Sequence, residues 1–187
     1  MKIITAPNPI LSLEAKPVAK IGSQIQKVIK EMKKTLSLAS DPEGVGLAAP
    51  QIGKSLRIFL AKPSPKGKIM IFINPQILEM DQASKTFTKK RKVGKKKKEV
   101  QKLEGCLSLK DIWGTVLRSP KVTLSYQDET GRKRTKEFKG FLATIIQHEY
   151  DHLNGVLFPK RVLEQKGKLY KSSKDEKGED VFEELEL

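Results

Sequence analysis

Residues 148–152 of this 187-residue chain read His148-Glu149-Tyr150-Asp151-His152 and hold both of its histidines. Residues four apart share a helical face. On a helix, His148 and His152 therefore present two imidazoles to one metal ion, with Glu149 beside them in reach of a water activated by that ion. The pattern alone also fits two satisfied structural histidines on a charged helix. Phe141, Leu142, Ala143, Ile145, Ile146 and Leu153 weigh against that reading, because they make the segment apolar nearly all round. An unpartnered polar ring in such a helix costs about 1–3 kcal/mol.

A catalytic metal site takes three protein ligands and keeps one position open, and the helix supplies two. Asp151 lies round the helix from His152 and could help only indirectly. Cys106, in Leu103-Glu104-Gly105-Cys106-Leu107-Ser108, is the single thiol of the chain. A lone cysteine is also an ordinary buried filler. Gly105 beside it suits close backbone approach, and Glu104 is placed to orient a ligating imidazole.

These residues need elements to position them. Apolar residues at Ile25, Val28, Ile29, Met32 and Leu36 form one helical stripe, with Ser23 and Gln26 as a capping box and Asp41-Pro42 as the stop. The preceding segment, with Pro7, Pro9 and Pro17, reads as extended or looped. Gly44-Val45-Gly46-Leu47-Ala48-Ala49-Pro50-Gln51-Ile52-Gly53 suits a backbone passing close to something else. Strands are expected at 56–61, 69–73 and 76–80, and a hairpin through Val122, Leu124 and Tyr126, turning at 129–131 into 132–138. The histidine helix runs from about Phe141 to Asn154, with Gly155 as its stop. From Gln165 the chain is rich in Lys, Glu and Ser, the pattern of a short strand or a frayed end. The expected organisation is one catalytic domain over 1–165 with a charged tail at 166–187.

Gly44-Val45-Gly46-Leu47-Ala48-Ala49-Pro50-Gln51, Glu104-Gly105-Cys106-Leu107-Ser108 and Gln147-His148-Glu149-Tyr150-Asp151-His152-Leu153-Asn154-Gly155 together resemble the three signature motifs of peptide deformylases, in family order. The resemblance spans about residues 1–158. It implies an α+β fold, with mixed or antiparallel strands wrapped around a central helix that bears the metal. The implied activity is removal of formate from the formyl-methionine that begins new polypeptides. Carried onto this chain, it implies Cys106, His148 and His152 as metal ligands and Glu149 as general acid and base. Gln51 and the backbone N–H of Leu107 are implied as oxyanion donors. Val45, Gly46 and Gly105 resemble positions that pair with an extended substrate. Val45, Phe141 and Ile145 are expected around the methionine side chain, plain core packing being the equal alternative. Arg118 matches a position near the substrate, with an exposed structural arginine as the equal alternative. The implied ion is Fe2+, with Zn2+, Ni2+ or Co2+ as substitutes.

The chain departs from the family pattern at Ser108-Leu109-Lys110, which lacks the proline common after the cysteine motif. Its ending resembles members that finish in a strand rather than a long helix. Lys and Arg number 37 against 22 Asp and Glu, a net +15, and residues 89–98 carry eight of the basic residues. That stretch reads as a solvated loop or hairpin tip, or as a contact for ribosomal RNA. No run of residues approaches a membrane span, and the N-terminus lacks a signal-like apolar stretch. One cysteine excludes an intrachain disulfide and fits a reducing compartment, so the cytoplasm is expected. Two rival readings are a zinc peptidase of the H-E-x-x-H kind and a basic nucleic-acid-binding protein with a structural metal.

Overall fold

The run Ile58-Phe59-Leu60-Ala61 is apolar at every position, the pattern of a strand covered on both faces. The fold is built around it. The structure, a computed structural model, describes residues 2–40, 43–65, 67–82, 88–93, 96–101 and 103–186, of which 88–93 and 96–101 are described as backbone alone. A 3-10 turn (Pro9–Ser12) leads to α1 (Ser23–Leu38), β1 (Gly46–Ala48), a second 3-10 turn (Ala49–Ile52), β2 (Ile58–Ala61) and β3 (Met70–Met80). Then come β4 (Thr88–Val93), β5 (Lys96–Gln101), β6 (Glu104–Cys106), β7 (Leu109–Gly114), β8 (Lys121–Gln127) and β9 (Lys133–Lys139). The chain ends with α2 (Gly140–Leu153), α3 (Phe158–Glu164), β10 (Leu169–Lys174) and β11 (Asp180–Glu184).

Strands β1, β2, β3, β8 and β9 form one sheet in that order, β11, β10, β7 and β6 a second, and β4 and β5 a separate pair. Every pairing between these strands is antiparallel. Alternate side chains of a strand point to opposite faces, and here each face has its own helix. Leu47, Ile58, Leu60, Ile71 and Ile73 meet the stripe of α1. Ala48, Phe59, Ala61, Phe72, Val122, Leu124 and Phe138 meet Ala143, Ile145, Ile146 and Leu153 of α2. The other side of α2 meets β6, where Cys106 approaches His152. The second sheet packs its Leu169 and Cys106 on Phe158 and Val162 of α3. The result is the expected α+β arrangement, with α2 central between two antiparallel sheets.

The α1 stripe is buried at all of the expected positions, but the capping box does not form. The N-cap is Gly22, without a side-chain cap, and Ser23 is already helical. Gln26 is drawn away to the tertiary structure, where its Nε2 donates to the Glu129 carbonyl at 2.7 Å. The helix ends at Leu38, before the expected stop, and Asp41-Pro42 itself lies outside the described residues. The strands expected at 69–73 and 76–80 are a single strand, β3. Pro75 cannot donate to the ladder, and the register shifts between Ile73 and Gln76 while Asn74 takes φ 49°. The 122–138 hairpin forms as expected. α2 ends as expected too, with Gly155 at φ 67° against the Ser12 backbone, a place with no room for a Cβ.

The basic stretch 89–98 falls largely on the paired strands β4 and β5, and Gly94 and Lys95 between them lie outside the described residues. The stretch from 166 forms two strands, and β10 pairs with β7, in the sheet that carries Cys106. Among the described residues, no helix is long and apolar enough to cross a membrane.

Candidate active site

On α2, one helical turn separates His148 from His152, and β6 lays Cys106 beside them. The Cys106 sulfur is 3.2 Å from His152 Nε2. One ligand atom from each of Cys106, His148 and His152 lies within 4.8 Å of the others. Glu104, also on β6, takes the Nδ1 side of His148 at 2.6 Å. That contact leaves Nε2 of His148 for a metal, the usual way a carboxylate orients a ligating imidazole. The expected orienting role of Glu104 therefore has its geometry.

Glu104 is itself clamped. Arg118 donates Nε to its Oε2 at 3.1 Å and Nη2 to its Oε1 at 2.6 Å, and donates Nη1 to Asp151 at 2.7 Å. Arg161 of α3 holds the same Asp151 carboxylate from the other side, at 2.8 Å. Burial opposes the charge of Glu104, but Arg118 and His148 outweigh it and hold the carboxyl at about 2. Arg118 was expected at the substrate or as an exposed residue, and it is in neither place. It is 7% exposed and absent from the cavity wall, because its fork of donors is committed to two buried carboxylates.

Gln147 accepts from Ser119 N–H and donates to the Ser119 and Ala143 carbonyls, which pins the loop before β8. Glu149 is 3% exposed, and burial pushes its carboxyl up to about 7. Burial also lowers the pKa of His152 well below the usual range. For His148 burial acts in the same direction, but Glu104 and Cys106 outweigh it and raise the value. Glu149 Oε2 and His152 Nδ1 are the two buried side-chain polar atoms without a hydrogen-bond partner among the described residues. An unpartnered carboxylate oxygen beside two imidazoles and a thiol fits a site made for an ion and the water it activates.

Gln51, in the second 3-10 turn, accepts from Ala48 N–H through Oε1 at 2.8 Å. That bond turns its NH2 toward Cys106 Sγ at 3.6 Å and Ser108 Oγ at 3.1 Å. Ser108 N–H donates to the same sulfur at 3.4 Å. A cavity of about 260 Å³ opens above this cluster. Val45, Gly46, Gly105, Leu107, Phe141 and Ile145 line it together with Gln51, Cys106, His148 and Glu149, so of the expected substrate residues only Arg118 is missing. The close approach expected of the glycine-rich stretch is made to the site itself: a Cβ at Gly46 would collide with the Glu149 carboxylate. At Gly105 a Cβ would lie 2.7 Å from the Trp113 ring.

The ion network makes its own prediction. Removing one partner of a buried pair is strongly destabilising, and because Asp151 keeps Arg161, Arg118→Met is expected at the low end, about 3 kcal/mol. Urea unfolding of metal-free protein at pH 7 measures it. Glu104 has a lowered folded pKa, so its contribution is complete above its ordinary value of 4.5 and disappears as pH falls toward about 2. The deficit of the variant should narrow across that window, and a deficit independent of pH would separate Arg118 from Glu104.

With this geometry in hand, comparison with known proteins is direct. The sequence model of the Polypeptide deformylase family matches residues 1–168. The chain belongs to that family. Among curated relatives, the peptide deformylase of Borreliella burgdorferi is 34% identical, across 95% of this chain and 98% of its own. That of Dictyoglomus turgidum is 37% identical, across 88% and 94%. The crystal structure of the Thermotoga maritima peptide deformylase superposes with a TM-score of 0.69 at 36% identity, covering 85% of this chain and 95% of that one. Beyond the family motifs, the structure adds the Arg118–Asp151–Arg161 network and Trp113 of β7. Residue spacing carries no signal for either, since both depend on contacts between distant strands and helices.

Proposed function

We infer that this protein is a metal-dependent hydrolase that removes the N-formyl group from the formyl-methionine at the start of newly made polypeptides. The observation that carries the reading is the convergence of Cys106, His148 and His152 with the unpartnered carboxylate of Glu149, beside one cavity that Cys106, His148 and Glu149 line. Water adds to the formyl carbon, the C–N amide bond breaks, and formate and a free α-amine leave. A divalent ion held by Cys106, His148 and His152 would lower the pKa of a water beside it and polarise the formyl carbonyl.

The other steps fall to this chain's own side chains. Glu149, raised by burial toward neutrality, takes the proton of the attacking water and gives it to the departing nitrogen. The NH2 of Gln51, aimed by Ala48, and the backbone N–H of Leu107 hold the oxygen on which charge develops. Val45, Gly46 and Gly105 pair with the extended peptide, and Val45, Phe141 and Ile145 receive the methionine side chain. Ferrous iron is the ion proposed in the cell, with zinc, nickel or cobalt as replacements. The proposed catalytic unit covers 1–165, with 166–187 as an attached segment, and the proposed compartment is the cytoplasm. The deciding assay measures formate from a formyl-Met tripeptide against its acetylated twin. Formate from the former alone is expected. Cleavage of internal bonds without formate release would favour the zinc-peptidase reading instead.

We also propose that the basic residues of 89–98 hold the enzyme near ribosomal RNA, because eight positive charges in ten residues suit a polyanion bound through counterion release. Replacing them with Ser should weaken ribosome co-sedimentation and flatten its salt dependence while turnover of a short peptide persists. Unchanged binding across the salt series would remove this role.

A further inference from the structure

The deformylase reading assigns the 260 Å³ cavity to the methionine and the scissile bond. A second hollow of about 600 Å³ adjoins it and shares Glu43, Cys106 and Trp113 with it. Its far wall is Ser172, Ser173 and Lys174 of β10 with Asp180 of β11, the C-terminal strands that no family motif touches. β6 is at the edge of its sheet, and its Glu104, Gly105 and Cys106 line the first cavity. An extended peptide that pairs along an edge strand sends successive side chains to opposite sides. With the methionine in the first cavity, the next side chain points away from it.

Trp113 stands where the two hollows join. Its ring covers Gly105, the backbone position beside Cys106. It pairs directly with Tyr170 of β10, and its Nε1 donates to Ser172 Oγ at 3.0 Å. Phe182 of β11 meets the indole edge-on, with ring centroids 5.8 Å apart at 86°. Phe182 is 41% exposed although the rest of β11 is largely polar. Tyr170, Ser172 and Phe182 belong to one face of the hairpin, since Ser172 pairs with Phe182 and Tyr170 lies two residues earlier on the same strand. The hairpin thus supports an aromatic ring at the rim of the site by one hydrogen bond and one ring contact.

We propose that Trp113 determines specificity for the residue that follows the methionine, favouring aromatic and large apolar side chains, and that the β10–β11 hairpin is the support that positions it. This inference rests on the deformylase reading above. Trp113 lines both hollows, which puts its ring in reach of that side chain. The polar wall beyond it, with its hydroxyls and the Lys174–Asp180 pair at 2.6 Å, accommodates the main chain that continues onward.

The test is the ratio of kcat/KM for formyl-Met-Phe-Ser against formyl-Met-Gly-Ser, with formyl-Met-Gly-Phe as the control for position. An aromatic contact of this kind corresponds to a ratio of about 3 to 10 in the wild type. Trp113→Ala should bring the ratio close to one, mainly through KM, and Trp113→Phe, which keeps a ring, should recover part of it. Phe182→Ser changes only the exposed support and should lower the ratio even if Trp113→Ala folds poorly; circular dichroism monitors folding in each variant. Wild-type turnover with equal rates on the Phe and Gly peptides would overturn the inference. So would a preference at the third position alone, or a preference that survives both Trp113→Ala and Phe182→Ser. Failure of the wild type to release formate from any of the three peptides would instead defeat the deformylase reading.

Discussion

Glu149→Gln should retain its metal and lose about 10² to 10⁴ in turnover of a formyl-Met peptide. The substitution keeps the size and hydrogen-bonding ability of the side chain but removes the proposed base. Gly46 faces the carboxylate without a Cβ, so the isosteric amide fits the same space. The informative quantity is kcat per bound metal, with both proteins loaded with the same ion. A value within a few-fold of wild type would exclude Glu149 from proton transfer. A structural role has a separate signature, read from stability against pH in metal-free protein. The carboxyl is raised from 4.5 to about 7 by burial, so its neutral form is the one that suits the fold. That stability is complete below 4.5 and is lost as pH rises through about 7. The neutral amide never loses it. Glu149→Gln should therefore be the more stable protein above pH 7 while being the poorer enzyme. In catalysis the acidic limb of kcat/KM should lie at or below about 7, because a nearby cation favours the ionised form, and it should vanish in the variant.

The parts of the site legible in the sequence are those whose geometry is local. His148, Glu149 and His152 are placed by helix periodicity alone, and the stripe of α1 is legible for the same reason. Gly155 marks the end of α2 through its φ of 67°. Cys106 is different: nothing in its own neighbourhood brings it to 3.2 Å from His152, and the family motifs supply that link. Arg118 shows the limit of position matching. It occupies a matching place in the chain, but its role follows from two carboxylates, Glu104 and Asp151, that lie 14 and 33 residues away. β3 reads as two strands because Pro75 is a breaker in any local account, and the bulge that absorbs it requires β8 alongside. The capping box of α1 failed in the opposite way, its glutamine being taken by a carbonyl 103 residues away. α3 carries a local signal of its own in Pro159 of its first turn, a position where proline favours a helix start.

Cys106→Ser should lose most of its metal while the fold survives. The sulfur lies beside His152 Nε2 and accepts from Gln51 Nε2 and Ser108 N–H. A serine hydroxyl is shorter and neutral at any working pH, so it offers the ion neither the reach nor the charge of sulfur. The two imidazoles that remain come from one helix and cannot close a three-ligand site. Metal-site binding energies of about 10–16 kcal/mol, divided among three ligands, put the expected loss of affinity at roughly 10²- to 10⁴-fold. Competition against a chromophoric chelator measures that loss. Circular dichroism separates it from unfolding, because Cys106 packs against Val116, Phe158, Val162 and Leu169, a cluster that one small polar group weakens without dispersing. His148 provides the internal comparison. In the Ser variant it still has Glu104 at Nδ1, so any residual ion must be held by the imidazoles alone, and its affinity should become strongly pH-dependent as protons compete for both rings. Full occupancy together with wild-type turnover in Cys106→Ser would mean that the sulfur is packing and that the third ligand lies elsewhere.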